Sequence, residues 1–145
     1  RLGEDRTVGR RRSMRVMLDT NVFDRLDADG EAASELENRR DLRLFVSEVQ
    51  LAELAAVPDE TRRGRYLELA RRLCVTVSAA AAAAGEAQRP PAADKHGSDR
   101  LIAAAASARC DLLVTDDAGL LAYARDAGLG ATDWAAFVAR VVFGR

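Results

Sequence analysis

Long apolar runs are missing from this 145-residue chain. No stretch approaches the roughly 18 consecutive apolar residues of a membrane span, and no apolar signal segment opens it. Cysteine is scarce as well. Cys74 and Cys110 both sit in apolar contexts and are read as buried, reduced thiols rather than a disulfide or a metal pair. With no span and no signal segment, the expected address is the cytoplasm. Histidine occurs once, at His96, in an expected loop where exposure is the simpler reading and phosphate or general-acid contact the sharper one. No Ser or Cys has a convincing base partner, so water is the expected nucleophile of any hydrolysis.

An excess of positive charge is also missing. The net charge is −1, and six of the arginines are concentrated in residues 1–15 beside Glu4 and Asp5. The remainder carries 16 basic and 21 acidic residues, so composition announces no basic groove for nucleic acid. Hydrophobic residues at 48% and charged residues at 31% describe a globular domain, large enough to bury about two-thirds of its unfolded surface. Residues 1–13 show no periodicity and are read as an N-terminal extension. A solvated tail is its simpler role and RNA contact the alternative. Residues 14–145 are then expected to form one domain.

Apolar runs of strand length alternate with helical patterns, which predicts a three-layer α/β/α fold with a short, mostly parallel central sheet. Strands are expected at Arg15–Leu18, Leu42–Val46, Val75–Val77, Leu112–Asp116 and, weakly, near Ala131. Helices are expected from Val22, over Gly30–Arg40, from the cap Ser47 to Pro58, and from the cap Asp59 to Leu73. Ala79–Gln88 favours helix, Pro90-Pro91 breaks it, and Ala92–Ser98 reads as a loop. Ser98 then caps a helix over Asp99–Arg109. A helix near Leu120–Asp126, a Gly128-Leu129-Gly130 turn and a final helix with Trp134 and Phe137 complete the chain. Trp134 suits core or dimer packing better than a base-stacking platform.

Against that frame four acids stand out. Asp19 follows the first strand, Glu53 lies in the helix after the second, Asp99 opens a helix, and Asp117 follows the fourth strand. Ligands of open parallel sheets bind at the carboxyl ends of the strands. Clustered carboxylates there repel one another unless a hard divalent cation neutralises them. Taken singly each has a structural alternative. Asp19 or Asn21 can cap a helix, Glu53 can face solvent, Asp99 can meet a positive helix end, and Asp116 and Asp117 can form a turn and cap.

In order, MLDTNVFDRL, SEVQLAEL, SDRLIAAAA and LVTDDAGL resemble the successive motifs of the PIN domain, the VapC-like toxin ribonuclease family. Each motif alone is weak, and the four in order, from Met14 to the end, are specific. The resemblance implies a metal-dependent endoribonuclease using Mg²⁺ or Mn²⁺, with Asp19, Glu53, Asp99 and Asp117 as catalytic metal ligands. Asp19 and Asp99 would hold the metal most directly, and Asn21 and Thr115 would orient waters and carboxylates. Asp116 is a fifth ligand, an outer charge or solvated. Gly and Leu after Ala118 replace a pair frequent in relatives, which bears on packing more than on chemistry. Lys95 and Arg100 are the candidate phosphate contacts. The resemblance further implies a homodimer, a cognate antitoxin, an RNA substrate and cleavage leaving a 5′-phosphate. The competing readings are a non-catalytic PIN-fold module that binds RNA or protein, and a nuclease acting on DNA.

Overall fold

Valine, leucine and methionine fill Met14–Leu18 with no polar alternation after Arg15, the pattern of a strand covered on both faces. The computed structural model describes residues 13–79 and 95–144, residues 95–98 by their backbone alone. In it this strand, β1, is the centre of a five-stranded sheet. The elements follow as α1 (Val22–Ala28), α2 (Gly30–Asn38), β2 (Leu42–Ser47), α3 (Glu48–Ala55), α4 (Glu60–Leu73) and β3 (Cys74–Val77). After residues 80–94 come α5 (Lys95–Arg109), β4 (Leu112–Val114), α6 (Ala118–Asp126), β5 (Ala131–Thr132) and α7 (Trp134–Phe137), which runs into a wider π turn, Val138–Val142.

The strand order is β3-β2-β1-β4-β5 and every pairing is parallel. Alternate side chains feed two cores. Val16, Leu18, Leu44, Val46 and Val114 pack with α1, α2, α4 and α7, while Met17, Phe45 and Leu113 pack with α5 and α6. The three expected layers are therefore present. Connectivity reverses direction between β1 and β4, and in open α/β sheets that switch point opens a crevice at the carboxyl ends of the two strands. Leu18 pairs with Val114 there, so the residues that follow each are neighbours.

Five of the helix starts follow side-chain caps, whereas Asn21 before α1 makes no such bond. Asp29, Ser47, Asp59, Asp117 and Asp133 each accept a backbone N–H of the helix they precede. Ser47 does more: with Gln50 it forms a capping box, and Gln50, fully buried, also donates to the Leu18 carbonyl over 3.4 Å. A polar side chain thus pins the end of β1 just before Asp19. At the other end of the chain, Gly128 takes φ 85° after α6 and Leu129 N–H reaches back to the Ala124 carbonyl, closing that helix.

Several boundaries differ from expectation. Helix α3 stops at Ala55, three residues ahead of Pro58, because the proline restricts the approach as well as its own position. Strand β4 ends at Val114, leaving Thr115 to Asp117 as a link whose side chains serve the sheet edge. Helix α5 begins at Lys95, so 95–98 are helical rather than loop and Ser98 is interior rather than a cap. Neither Gly97 nor the preference of Ser98 for a cap outweighs continuation of the helix there. The expected helix over 80–88 and the 1–12 arm lie outside the described residues. Among those described, no helix is long and apolar enough to cross a membrane. Cys74 and Cys110 are free thiols, Cys110 buried and Cys74 half-buried, and burial pushes both up to about 12.

Candidate active site

Burial makes Asp19 unusual. Its residue is 5% exposed, at the tip of the central strand, where its backbone N–H still bonds the Val114 carbonyl. Three donors converge on its carboxylate. Thr20 N–H reaches Oδ1 at 2.8 Å, while the Thr115 hydroxyl at 2.7 Å and Asn21 Nδ2 at 3.3 Å reach Oδ2. Desolvation dominates even so, and the carboxyl is raised to about 6. The hydrogen bonds from Thr115 and Thr20 oppose the rise, and the negative charges of Glu53 and Asp117 add to it. These charges tie Glu53 and Asp117 electrostatically to Asp19.

Each companion is placed by its own local geometry. The Thr20 hydroxyl donates to Glu53 Oε1, which fixes an otherwise exposed glutamate from α3 against the β1–α1 turn. Asp117 caps α6, its Oδ1 accepting Gly119 N–H at 2.9 Å and Leu120 N–H at 3.2 Å. Its Oδ2 makes no bond among the described residues. The buried Thr115 also accepts Asp117 N–H at 3.0 Å, so one hydroxyl connects two of the acids. Asn21 faces both ways: Nδ2 toward Asp19, Oδ1 accepting Asp116 N–H at 3.0 Å.

Asp99 is placed by helix direction alone, and its charge is not among the leading ones that press on Asp19. Helix α5 delivers Cys110 and Asp111 to the entry of β4, where Asp111 N–H bonds the Arg15 carbonyl. It therefore runs opposite to the strands, and its N-terminal part, with the half-buried Asp99 and Arg100, lies toward their carboxyl ends. The side chains of Lys95 and His96 are outside the described residues. Asp116 is committed elsewhere. Its Oδ2 accepts Arg25 Nε at 2.9 Å and its Oδ1 accepts Trp134 N–H at 3.0 Å, making it a brace between α1 and the start of α7. Trp134 and Phe137 are buried, with ring centroids 6.0 Å apart, so Trp134 belongs to the core.

Sequence reasoning missed Thr20, Arg25 and Gln50. The S-x-x-Q spacing of Ser47 and Gln50 carried a signal for the last. The pairings Thr20–Glu53 and Arg25–Asp116 span 33 and 91 residues and left none.

In chemistry the donor set suits a hard divalent cation: oxygen ligands only, negatively charged, one of them buried and pressed by its neighbours. Among the described residues, no three His, Cys, Asp or Glu side chains stand close enough together to hold an ion already. The carboxylates of Asp19, Glu53 and Asp117 are held by protein donors rather than preassembled.

No protein-family model and no curated protein matches the chain. Solved structures do. A chain of VapBC2 from Rickettsia felis, in a structure with a DNA fragment from their promoter, matches with TM-score 0.55 and 17% identity, over 83% of this chain and 99% of that one. A chain of VapBC-1 from nontypeable Haemophilus influenzae matches with TM-score 0.55 and 21% identity, over 84% and 99%. At such identities the likeness is one of fold, and this chain has the PIN-like α/β fold that its motifs led us to expect.

Proposed function

We propose that this chain is a metal-dependent endoribonuclease, the toxin of a type II toxin–antitoxin pair, acting as a homodimer and held in check by a cognate antitoxin. The observation that carries the reading is the buried Asp19 carboxylate, raised to about 6 and pressed by Glu53 and Asp117 at the switch point of the sheet. The VapBC names of the two solved neighbours support the toxin role and the antitoxin partner.

Asp19, Glu53, Asp99 and Asp117 would hold Mg²⁺ or Mn²⁺. When bound, such an ion supplies positive charge against the developing charge of the phosphate and makes a water nucleophilic near neutral pH. The chain's own residues do the rest. Thr115 and the Thr20 N–H hold Asp19 in one orientation and favour its ionised form. The Thr20 hydroxyl fixes Glu53, and the N–H groups of α6 fix Asp117. Asn21, uncharged, links the two strand ends without adding to the repulsion. Attack by water breaks the bond to the 3′ oxygen and leaves a 5′-phosphate.

A non-catalytic binding module is the second reading, favoured by the protein donors that already hold Asp19, Glu53 and Asp117. One experiment decides between them. Purified protein is incubated with total RNA and Mn²⁺ or Mg²⁺, against EDTA and Asp99→Asn controls. Metal-dependent cutting lost in the variant is the expected result. Folded protein that binds metal and cuts no RNA would assign the binding module.

A further inference from the structure

An all-acidic pocket repels the polyanion that it is proposed to cut, so some cation at its rim has to draw the strand in. We propose that Arg25 is that residue, a positioning contact to an RNA phosphate beside the cleaved one. The inference rests on RNA being the substrate.

Arg25 stands one helical turn after Asn21 on α1, and Asn21 touches both Asp19 and, at 3.5 Å, Thr115. Its Nε is held at 2.9 Å by Asp116 Oδ2. Asp116 is itself fixed at two further points, its Oδ1 by Trp134 N–H and its N–H by Asn21 Oδ1, each at 3.0 Å. The guanidinium is thus anchored on a carboxylate that the fold locks in place. Among the described residues its two terminal nitrogens make no bond, and the Arg25 side chain is 58% exposed against 22% for Asp116.

Two other anchored arginines, Arg39 and Arg65, lack this combination. Arg39 is used up by Asp41 and by the carbonyls of Val141 and Val142. Arg65 grips Asp27 with both Nε and a terminal nitrogen. A guanidinium held at Nε presents its remaining planar edge to a phosphate with little side-chain freedom left to lose, which a lysine cannot match.

The test is binding of a short fluorescent single-stranded RNA in EDTA, followed by anisotropy over a salt series. Wild type is compared with Arg25→Gln and Arg25→Lys. We expect Arg25→Gln to bind roughly tenfold more weakly, with a salt slope smaller by about 0.7, the value for one lost contact to a single strand. Arg25→Lys should keep the slope and lose part of the affinity. With Mn²⁺ added, Arg25→Gln should raise KM and leave kcat within about twofold. Arg25→Gln with the affinity and slope of wild type overturns the proposal, and a lowered melting temperature alongside would make Arg25 a strut between α1 and α7. Wild type that binds no RNA overturns it too. Wild type that binds through Arg25 and cuts nothing upholds the contact while refuting the nuclease.

Discussion

Thr115 donates its hydroxyl proton to Oδ2 of Asp19 over 2.7 Å, joining the ends of the two strands that meet at the switch point of the sheet. The bond favours the ionised carboxyl, against the burial that raises it to about 6. In Thr115→Val the shape is kept and the donor lost, so the carboxyl should rise further. Cleavage should then fall about tenfold near pH 6 and less near pH 8, since a higher pH restores the carboxylate. A pH–rate profile checks this. Equal loss at both ends of the range would mean that Thr115 acts on packing and not on ionisation.

Asp19 also makes stability depend on pH. Its ordinary value is 3.8 and its folded value about 6, so the folded protein holds that proton more tightly than the unfolded chain does. The stability contributed is fully present below pH 3.8 and is lost as pH rises through 6. Without metal, the buried charge should cost roughly 3 kcal/mol by pH 7, from about two units at 1.36 kcal/mol each. Asp19→Asn should remove this dependence. Denaturant melts in EDTA across that range should show wild type weakening relative to the variant as pH rises. Parallel curves would refute the burial argument. Added Mn²⁺ should restore wild type and leave the variant unmoved.

How much of this the residues disclosed follows from the range over which each feature is decided. Asp19 after Val16-Met17-Leu18 and Asp117 after Leu112-Leu113-Val114 were legible because strand ends are marked by local hydrophobic pattern, and parallel strands share one carboxyl edge. Ser47 and Asp59 were legible as caps because capping acts within three residues. The start of α5 was not legible. Ser98 has the chemistry of a cap, yet the helix already runs through it from Lys95. The role of Asp116, open between ligand, outer charge and solvated residue, was not legible either. Arg25 on α1 and the N–H of Trp134 claim Asp116, both brought there only by the fold, and that leaves Asp117 to cap α6.

Asp117 carries two roles that a pair of substitutions can separate. As the cap of α6 it satisfies the N–H groups of Gly119 and Leu120 through one oxygen, Oδ1. As an acid it adds negative charge beside Asp19. Asparagine caps a helix about as well as aspartate, whereas alanine cannot accept the N–H bonds. Asp117→Ala should therefore lose about 1 kcal/mol of stability, read by urea unfolding, and Asp117→Asn only a few tenths. Both remove the charge, so both should abolish most metal-dependent cleavage. An Asp117→Asn protein that is stable and fully active would reduce Asp117 to a cap and leave Asp19, Glu53 and Asp99 to hold the metal. A stable and inactive one would show that its charge, not its hydrogen bonds, serves the chemistry.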